Sequence, residues 1–481
     1  MNNLLKKLFS DSAAFAFSTM GNKLVAFLLA PVYISYLAKD EFAAWDQTNA
    51  YTLILTYLCI LGTDAAMAYY FFDAKELRER RIYLSNALLF SSLVCIVVAL
   101  IMYFIGEYVN PIVYGEVVRS DYKYLLFIAT MATLGAIVIQ HLLAYARYMQ
   151  KKWLFNFFSM GYVIGSNLLS LWFVVYDSGI VGLFYGQLIG QITIAIILMI
   201  LFRSEFILQF SKKHLTNLIK YGAPLVPTLI SFWAITAIGR SVLVHIDGSQ
   251  AALYSGALRV ASMIVLITAP FQLAWRPFAM SIKSRDDAKR IYSLVGRILL
   301  VIGTLSIMVM TFFIKDFSAF YLKKLAPAYP YIWILSLGTL LNVLHTVFAV
   351  GLLINKQTKK ISKAFLIASL IYVLGCLFLI PLYKLWGAVA MTLISYFLVI
   401  LLVYKQNQKV YAINFRFPSI VIYLCIYIAV MTGITWIQLQ STIDLWRYDL
   451  LALCIMIVSV FISGLFSIRS LGLLKRLIIK K

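Results

Sequence analysis

Apolar residues in this chain do not alternate with polar ones at the spacing of a half-buried strand. They run in long blocks separated by short polar loops. Fourteen blocks are legible, at about residues 11–38, 43–72, 83–107, 122–148, 153–176, 180–202, 216–246, 250–282, 290–314, 328–354, 361–381, 386–404, 418–439 and 446–468. Most reach the roughly 20 residues that an α-helix needs to cross the hydrocarbon of a bilayer. Several exceed it, which predicts tilting or protrusion into water. The expected fold is an all-α polytopic membrane protein with 14 transmembrane helices.

Composition agrees with the pattern. Of 481 residues, 63% are hydrophobic and 13% charged, with a mean hydropathy of +0.90, outside the range of a soluble domain of this length. The net charge of +23 would point to nucleic acid in a soluble protein. Here the cations cluster in every second loop, as in Lys75, Arg78, Arg80 and Arg81, then Lys283, Arg285, Lys289 and Arg290. That alternation is a membrane-topology signal, so no nucleic-acid partner is expected and both termini are placed in the cytoplasm. Lys6 and Lys7 precede an apolar run too long for a signal peptide, which reads as a retained first helix. The five cysteines, Cys59, Cys95, Cys376, Cys425 and Cys454, lie inside apolar blocks without paired or metal-ligand spacing. No Walker loop, HExxH, dinucleotide fingerprint or acid/base pair is present, so no enzyme activity, cofactor or metal is expected. Energy must then come from an H+ or Na+ gradient, the membrane potential or the substrate gradient.

The two halves of the chain echo each other at a shift of about 208 residues. The turn at 39–44 falls on 247–252, Arg81-Ile82-Tyr83 on Arg290-Ile291-Tyr292, and Lys151-Lys152 on Lys359-Lys360. Gly182 and Gly387 match at a slightly shorter offset. The reading is 6 + 6 + 2: an N-lobe at 1–210, a C-lobe at 211–410, and two further helices at 411–481. An even number of spans per repeat makes the two six-helix lobes parallel repeats, expected to enclose a central cavity.

Charges inside the blocks mark candidate chemistry, because an ionisable group at membrane depth is costly and by default faces a cavity. Lys23 lies near the middle of the first block, on a small or polar stripe with Ser12, Ala16, Thr19, Ala26 and Ala30. Arg240 and Arg259 lie in the seventh and eighth blocks. Their planar forks suit diphosphate or uronate oxygens. The competing reading is structural ion pairing with Asp46, Asp64 or Asp247. Asp64 and Asp46, in the second block, read either as ion-pair partners or as ion-coupling groups. Arg276 is a lower-ranked candidate, since near its helix end it can snorkel or meet lipid phosphate. His141 and His345 are read as proton-relay or hydrogen-bonded packing residues, the latter favoured by their Gln140, Asn342 and Thr346 neighbours. Pro224, Pro227, Pro270 and Pro277 are expected to break blocks seven and eight.

A family resemblance adds to this. Tyr221-Gly222-Ala223-Pro224-Leu225-Val226-Pro227 resembles a Y-G-x-P-L-x-P opening of helix seven, and Tyr254-Ser255 opens helix eight. Phe271-Gln272-Leu273-Ala274-Trp275-Arg276-Pro277-Phe278 resembles F-Q-x-A-W-x-P-F, and Leu61-Gly62-Thr63-Asp64 resembles an L-G end of helix two. With the fourteen blocks, these residues resemble the multidrug/oligosaccharidyl-lipid/polysaccharide (MOP) exporter superfamily, within it the Wzx-type polysaccharide flippases. Many relatives carry an Asp-Arg pair late in helix seven, where this chain has Gly239-Arg240; the lipid II flippase branch carries R-D in helix one, where this chain has Asn22-Lys23. The resemblance implies a flippase of the bacterial cytoplasmic membrane. Its substrate would be an anionic undecaprenyl-diphosphate-linked oligosaccharide, for lipopolysaccharide or exopolysaccharide export. Its partners would be membrane lipids, a polysaccharide polymerase and chain-length machinery. A cation-coupled multidrug antiporter of the same superfamily is the alternative.

Overall fold

The computed structural model describes residues 2–176, 179–207, 209–355, 357–440 and 446–466. Helices dominate and no strand occurs among them. In order they are α1 (Asn2–Tyr36), α2 (Lys39–Ile60), α3 (Thr63–Asp73), α4 (Leu77–Tyr114), α5 (Leu125–Tyr148), α6 (Lys152–Val175), α7 (Gly179–Leu201), α8 (Lys212–Gly222) and α9 (Val226–Val244). There follow α10 (Gly248–Ala261), α11 (Ile264–Ser281), α12 (Ala288–Phe312), α13 (Ile314–Tyr321), α14 (Tyr329–Phe348), α15 (Val350–Ile354), α16 (Thr358–Val410), α17 (Phe417–Gln440) and α18 (Trp446–Ile462). Every apolar block is helical over most of its described residues. Nine helices among the described residues are long and apolar enough to cross a membrane, or ten if the bent α2–α3 pair counts as one span. That criterion stops short of the expected fourteen. It takes α16 as one helix, although Lys384 leaves helical geometry inside it (φ 48°). A straight 53-residue helix would measure ~80 Å, far more than one crossing needs.

The amphipathy is inverted relative to a water-soluble bundle. Trp153, Phe104 and Phe378 are 89%, 74% and 78% exposed, whereas Thr48, Thr130, Thr304 and Ser395 are buried. With hydrocarbon as the solvent, apolar side chains lose nothing by facing out, and polar ones gain by bonding inside.

By packing, the chain divides into two compact units. The first comprises Met1–Ser255, Lys323–Leu325 and Phe365–Met391; the second comprises Gly256–Leu322, Ala326–Ala364 and Thr392–Lys481. In the first unit α7 carries glycines every fourth residue, at 182, 186 and 190. A Cβ on Gly186 would sit 2.3 Å from the Ser170 nitrogen and one on Gly190 2.6 Å from the Ser166 Cα, so α6 and α7 touch backbone to backbone. At the polar linker after α7, Asn86 of α4 accepts from the Ser211 amide at 2.9 Å and donates to the Gln209 carbonyl at 3.1 Å.

Two expectations about helix breaks are corrected. Leu61-Gly62 does not end the second span but breaks it: both residues have positive φ, and α3 continues at a 41° bend. A Cβ at Gly62 would lie 2.5 Å from the Gly222 carbonyl oxygen, so the break is held against the α8 terminus with no room for a side chain. Pro224 and Pro227 do mark a break, a 3₁₀ turn between α8 and α9. In the eighth block the backbone stays helical through Pro270 and Pro277, and the interruption lies at Ser262–Met263 instead. A proline always forfeits its own hydrogen bond to the residue four before it, but in a membrane helix neighbouring groups can satisfy the freed carbonyl so that the helix continues.

Candidate functional site

In the first unit, a polar seam joins α2, α9 and the start of α10. The second span begins where Glu41 accepts from the Ala38 amide at 2.9 Å, with Asp40 and Glu41 favourably placed in the first turn. One turn further on, Asp46 points inward at Arg240 of α9. The Arg240 Nη1 donates to Asp46 Oδ2, and Ser255 Oγ donates to the same oxygen at 2.7 Å. Nη2 of Arg240 donates to the Thr236 carbonyl at 3.1 Å. The two side chains are 11% and 12% exposed, so this is a nearly buried ion pair. The neighbouring turns repeat the cross-link: Gln47 Nε2 donates to Ser241 Oγ at 2.8 Å, and Trp233 Nε1 to the Ala50 carbonyl at 2.8 Å. α2 presents residues 46, 47 and 50 on one face, and α9 answers with 233, 240 and 241.

This geometry explains the Gly239-Arg240 departure. A Cβ at Gly239 would lie 2.4 Å from the Tyr372 hydroxyl and 3.7 Å from that of Tyr254. An aspartate there would not fit, and Asp46 supplies the carboxylate from another helix. The turn after α9 is fastened as well. Asp247 Oδ1 accepts from the Gln250 amide at 3.1 Å, its Oδ2 meets Lys384 Nζ at 3.3 Å, and Gln250 accepts from the Leu385 amide at 3.0 Å. Burial alone would raise the Asp247 carboxyl, but those hydrogen bonds and the lysine hold it below its ordinary value.

The remaining candidates are placed as follows. Lys23 is exposed on α1 and has no ion-pair partner among the described residues; its neighbour Asn22 bonds Ser159 at 3.1 Å where α1 packs on α6. Ala26 is exposed and Ala30 buried; the side chains of Ser12, Ala16 and Thr19 lie outside those described. Asp64, at the start of α3, accepts from the Ala65 amide at 2.8 Å and from Gln140 Nε2 at 3.2 Å. His141, next to Gln140, is fully buried, bonds the Ile137 carbonyl at 2.9 Å and lies within electrostatic reach of Asp64. In the second unit, Arg259 is half-buried in the last turn of α10, its carbonyl accepting from Ser262 at 2.6 Å, and its charge reaches Tyr321. His345 bonds the Asn342 carbonyl in its own helix. Arg276 lies in α11, and its side chain falls outside the described residues. The structure thus brings Asp46 together with Arg240, and Asp64 with Gln140 beside His141.

A family model described as a polysaccharide biosynthesis protein matches residues 8–283. The chain belongs to that family. No curated protein matches it in sequence. Among solved structures, a lipid II flippase MurJ in an inward closed conformation is similar at a TM-score of 0.72 and 16% identity, covering 94% of this chain and 97% of that one. An outward-facing multidrug resistance MATE transporter of the MOP superfamily is similar at 0.56 and 13%, covering 84% and 95%. A MOP transporter from Pyrococcus furiosus, described as having reversed binding-pocket polarity, is similar at 0.59 and 13%, covering 84% and 95%. This polysaccharide biosynthesis family member shares its fold with the lipid II flippase and with these MOP-superfamily transporters, and it is a multi-pass membrane protein.

One feature of this family member was left ambiguous by the sequence reading and another escaped it. Arg297 of α12 is 6% exposed and donates to the carbonyls of Leu465 at 2.6 Å and Ser293 at 3.2 Å, with the Phe466 ring 5.4 Å away. From sequence it is ambiguous, like Arg276, between snorkelling and a contact with lipid phosphate. The other is a cavity of about 380 Å³ in the first unit, between α2, α5 and α7. Its signal was Asn49, Thr52 and Thr56 at helical spacing, with Gln187 and Gln191 one turn apart.

Proposed function

We propose that this polysaccharide biosynthesis family member is a flippase of the bacterial cytoplasmic membrane, with both termini cytoplasmic. It carries an anionic undecaprenyl-diphosphate-linked oligosaccharide between leaflets by alternating access. The observation that carries this reading is the family match over residues 8–283, on a fold that also serves a lipid II flippase. Charge supports it. Lys23 meets no carboxylate among the described residues, and a lysine at mid-span is tolerated where water or an anion reaches it. Lys23 and Arg259 are the cations assigned to the diphosphate or uronate groups, in keeping with arginine's fit to such oxygens. Arg240 joins them only when Asp46 releases it, which makes that pair a candidate for coupling substrate binding to a change of state. Asp64, with no ion-pair partner among the described residues, is the carboxylate assigned to H+ or Na+ coupling. Membrane lipids surround the protein, and polymerase and chain-length machinery take the product. The drug-antiporter alternative has less support, because Asp46 already serves Arg240 and Ser255 and offers little to a cationic drug.

Complementation of a deletion strain tests this. Lys23→Ala and Arg259→Ala, present in the membrane at wild-type levels, should each abolish most surface glycan on immunoblots, with drug susceptibility unchanged. Intact glycan together with altered drug susceptibility on deletion would replace the flippase with the antiporter.

A further inference from the structure

The 380 Å³ cavity is lined by Asn49, Thr52, Leu53 and Thr56 of α2, by Ala129, Ala132, Thr133 and Ala136 of α5, and by Gln187 and Gln191 of α7. All ten belong to the first unit. The volume lies in the range of small-molecule sites, roughly 300–1,000 Å³. Its walls come together for identifiable reasons. Tyr51 and Thr130 share a hydrogen bond of 2.9 Å beside the cavity, fastening α2 to α5. A Cβ on Gly135 would sit 3.0 Å from the Gln191 backbone, so α5 and α7 approach closely and bring both glutamines over the opening.

The chemistry of the lining is unusual for membrane depth. It holds no charge and no aromatic ring. The three threonine hydroxyls each donate to a carbonyl of their own helix: Thr52 to Asn49 at 3.1 Å, Thr56 to Thr52 at 2.7 Å and Thr133 to Ala129 at 2.8 Å. Their oxygens are left to accept. The amides of Asn49, Gln187 and Gln191 make no side-chain hydrogen bond among the described residues. Each offers two donors and an acceptor. Three amides with unspent capacity around one half-buried cavity are expensive in hydrocarbon unless water or a ligand satisfies them.

We propose that this cavity is a subsite for a neutral, polyhydroxylated ring: one uncharged sugar residue of the transported glycan. The inference rests on the flippase reading for its substrate and on the cavity alone for its chemistry. Amides and hydroxyls match the mixed donors and acceptors of vicinal hydroxyl groups, and Leu53 with the three alanines faces the apolar side of the ring. A uronate or diphosphate would enter without a counter-charge and pay its desolvation unrelieved. A cation would lack a carboxylate. Without an aromatic platform the grip is weak, which suits cargo that must leave again. The subsite thereby separates two tasks: Lys23 and the arginines take the anionic part, and the amides read the sugar.

The test uses the full chain in detergent and native mass spectrometry with two probes, undecaprenyl diphosphate and undecaprenyl-diphosphate-N-acetylglucosamine. Wild type should bind the sugar-bearing lipid about 10-fold more tightly, the effect of one or two satisfied polar groups. Gln187→Leu combined with Gln191→Leu should erase that preference and leave undecaprenyl diphosphate binding unchanged. A preference that survives the double change overturns the proposal. Asn49→Leu gives an independent reading should the double variant not fold. Saturation-transfer NMR with methyl glucoside, methyl galactoside and free N-acetylglucosamine separates the two ideas. If neither lipid binds but a glycoside signal in wild type is lost in the variants, the flippase reading falls and the subsite stands. If both lipids bind equally and no glycoside signal depends on the amides, the subsite falls and the flippase reading stands.

Discussion

Arg240 and Arg297 are both arginines sunk into apolar helices, yet they are accommodated in different ways. Arg240 meets a carboxylate, Asp46, on a helix almost two hundred positions away in sequence, and a serine bonds the same oxygen. Arg297 meets carbonyls, from Leu465 and its own helix, and the face of Phe466, with no carboxylate in an ion pair with it among the described residues. The first arrangement is net neutral and depends on a single acidic group. The second keeps its full charge and spreads it over backbone dipoles. A neutralised arginine is poorly suited to attract an anion until its partner lets go, and a carbonyl-bound one is an anchor. Lys23, exposed and without a described carboxylate, is the cation better placed to meet an anion.

The largest expected effect is at Asp46. Removing one partner of a buried pair leaves the other charged and unsatisfied, so Asp46→Ala should destabilise by ~3–5 kcal/mol. Adding Arg240→Met should recover most of that loss, read as thermal unfolding in detergent. A double variant no better than the single one would show that the pair is not coupled. Arg297→Met removes carbonyl partners rather than a carboxylate, and should cost about 1.5–3 kcal/mol with no acidic residue whose removal restores it.

A third arginine sharpens the contrast at the rim. Arg81 Nε lies 2.8 Å from Glu205, which also accepts from Tyr145 at 3.0 Å. Burial alone would raise the Glu205 carboxyl, but the hydrogen bonds from Arg81 and Tyr145 hold it below its ordinary value. A depressed carboxyl contributes stability above the unfolded-state value, ~4.3, and loses it as pH falls through the folded value. The effect expected here is the smallest of the three. Glu205→Gln should lower the thermal midpoint at neutral pH and flatten its decline below pH ~4.3. An unchanged acid limb would remove Glu205 from that transition.

Much of this was legible in the chain. The apolar blocks are helical over their described residues, some as two helices across a break, because hydrocarbon-length runs leave the backbone no other way to satisfy its polar groups. Lys384 divides the longest helix between the expected eleventh and twelfth blocks. Arg240 was recognised as costly, and Asp46 stood among three possible partners; choosing between them required knowing that α2 and α9 lie face to face. Leu61-Gly62 looked like a terminus because it resembles the family's L-G end of helix two. It proved to be a break because Gly222 lies directly against it. Asn49, Gln187 and Gln191 passed unremarked, since a single amide in an apolar block is unexceptional until three of them surround one cavity.

The sequence by itself determined that the chain is helical, inverted in its amphipathy and loaded with cations in alternate loops, because these depend on local composition and on the solvent the chain must meet. Which charge is quenched, which is left to bind, and where neutral amides converge was decided only by the tertiary structure. Those properties depend on distances of a few ångströms between helices far apart in sequence, and no periodicity along one helix encodes what stands opposite it.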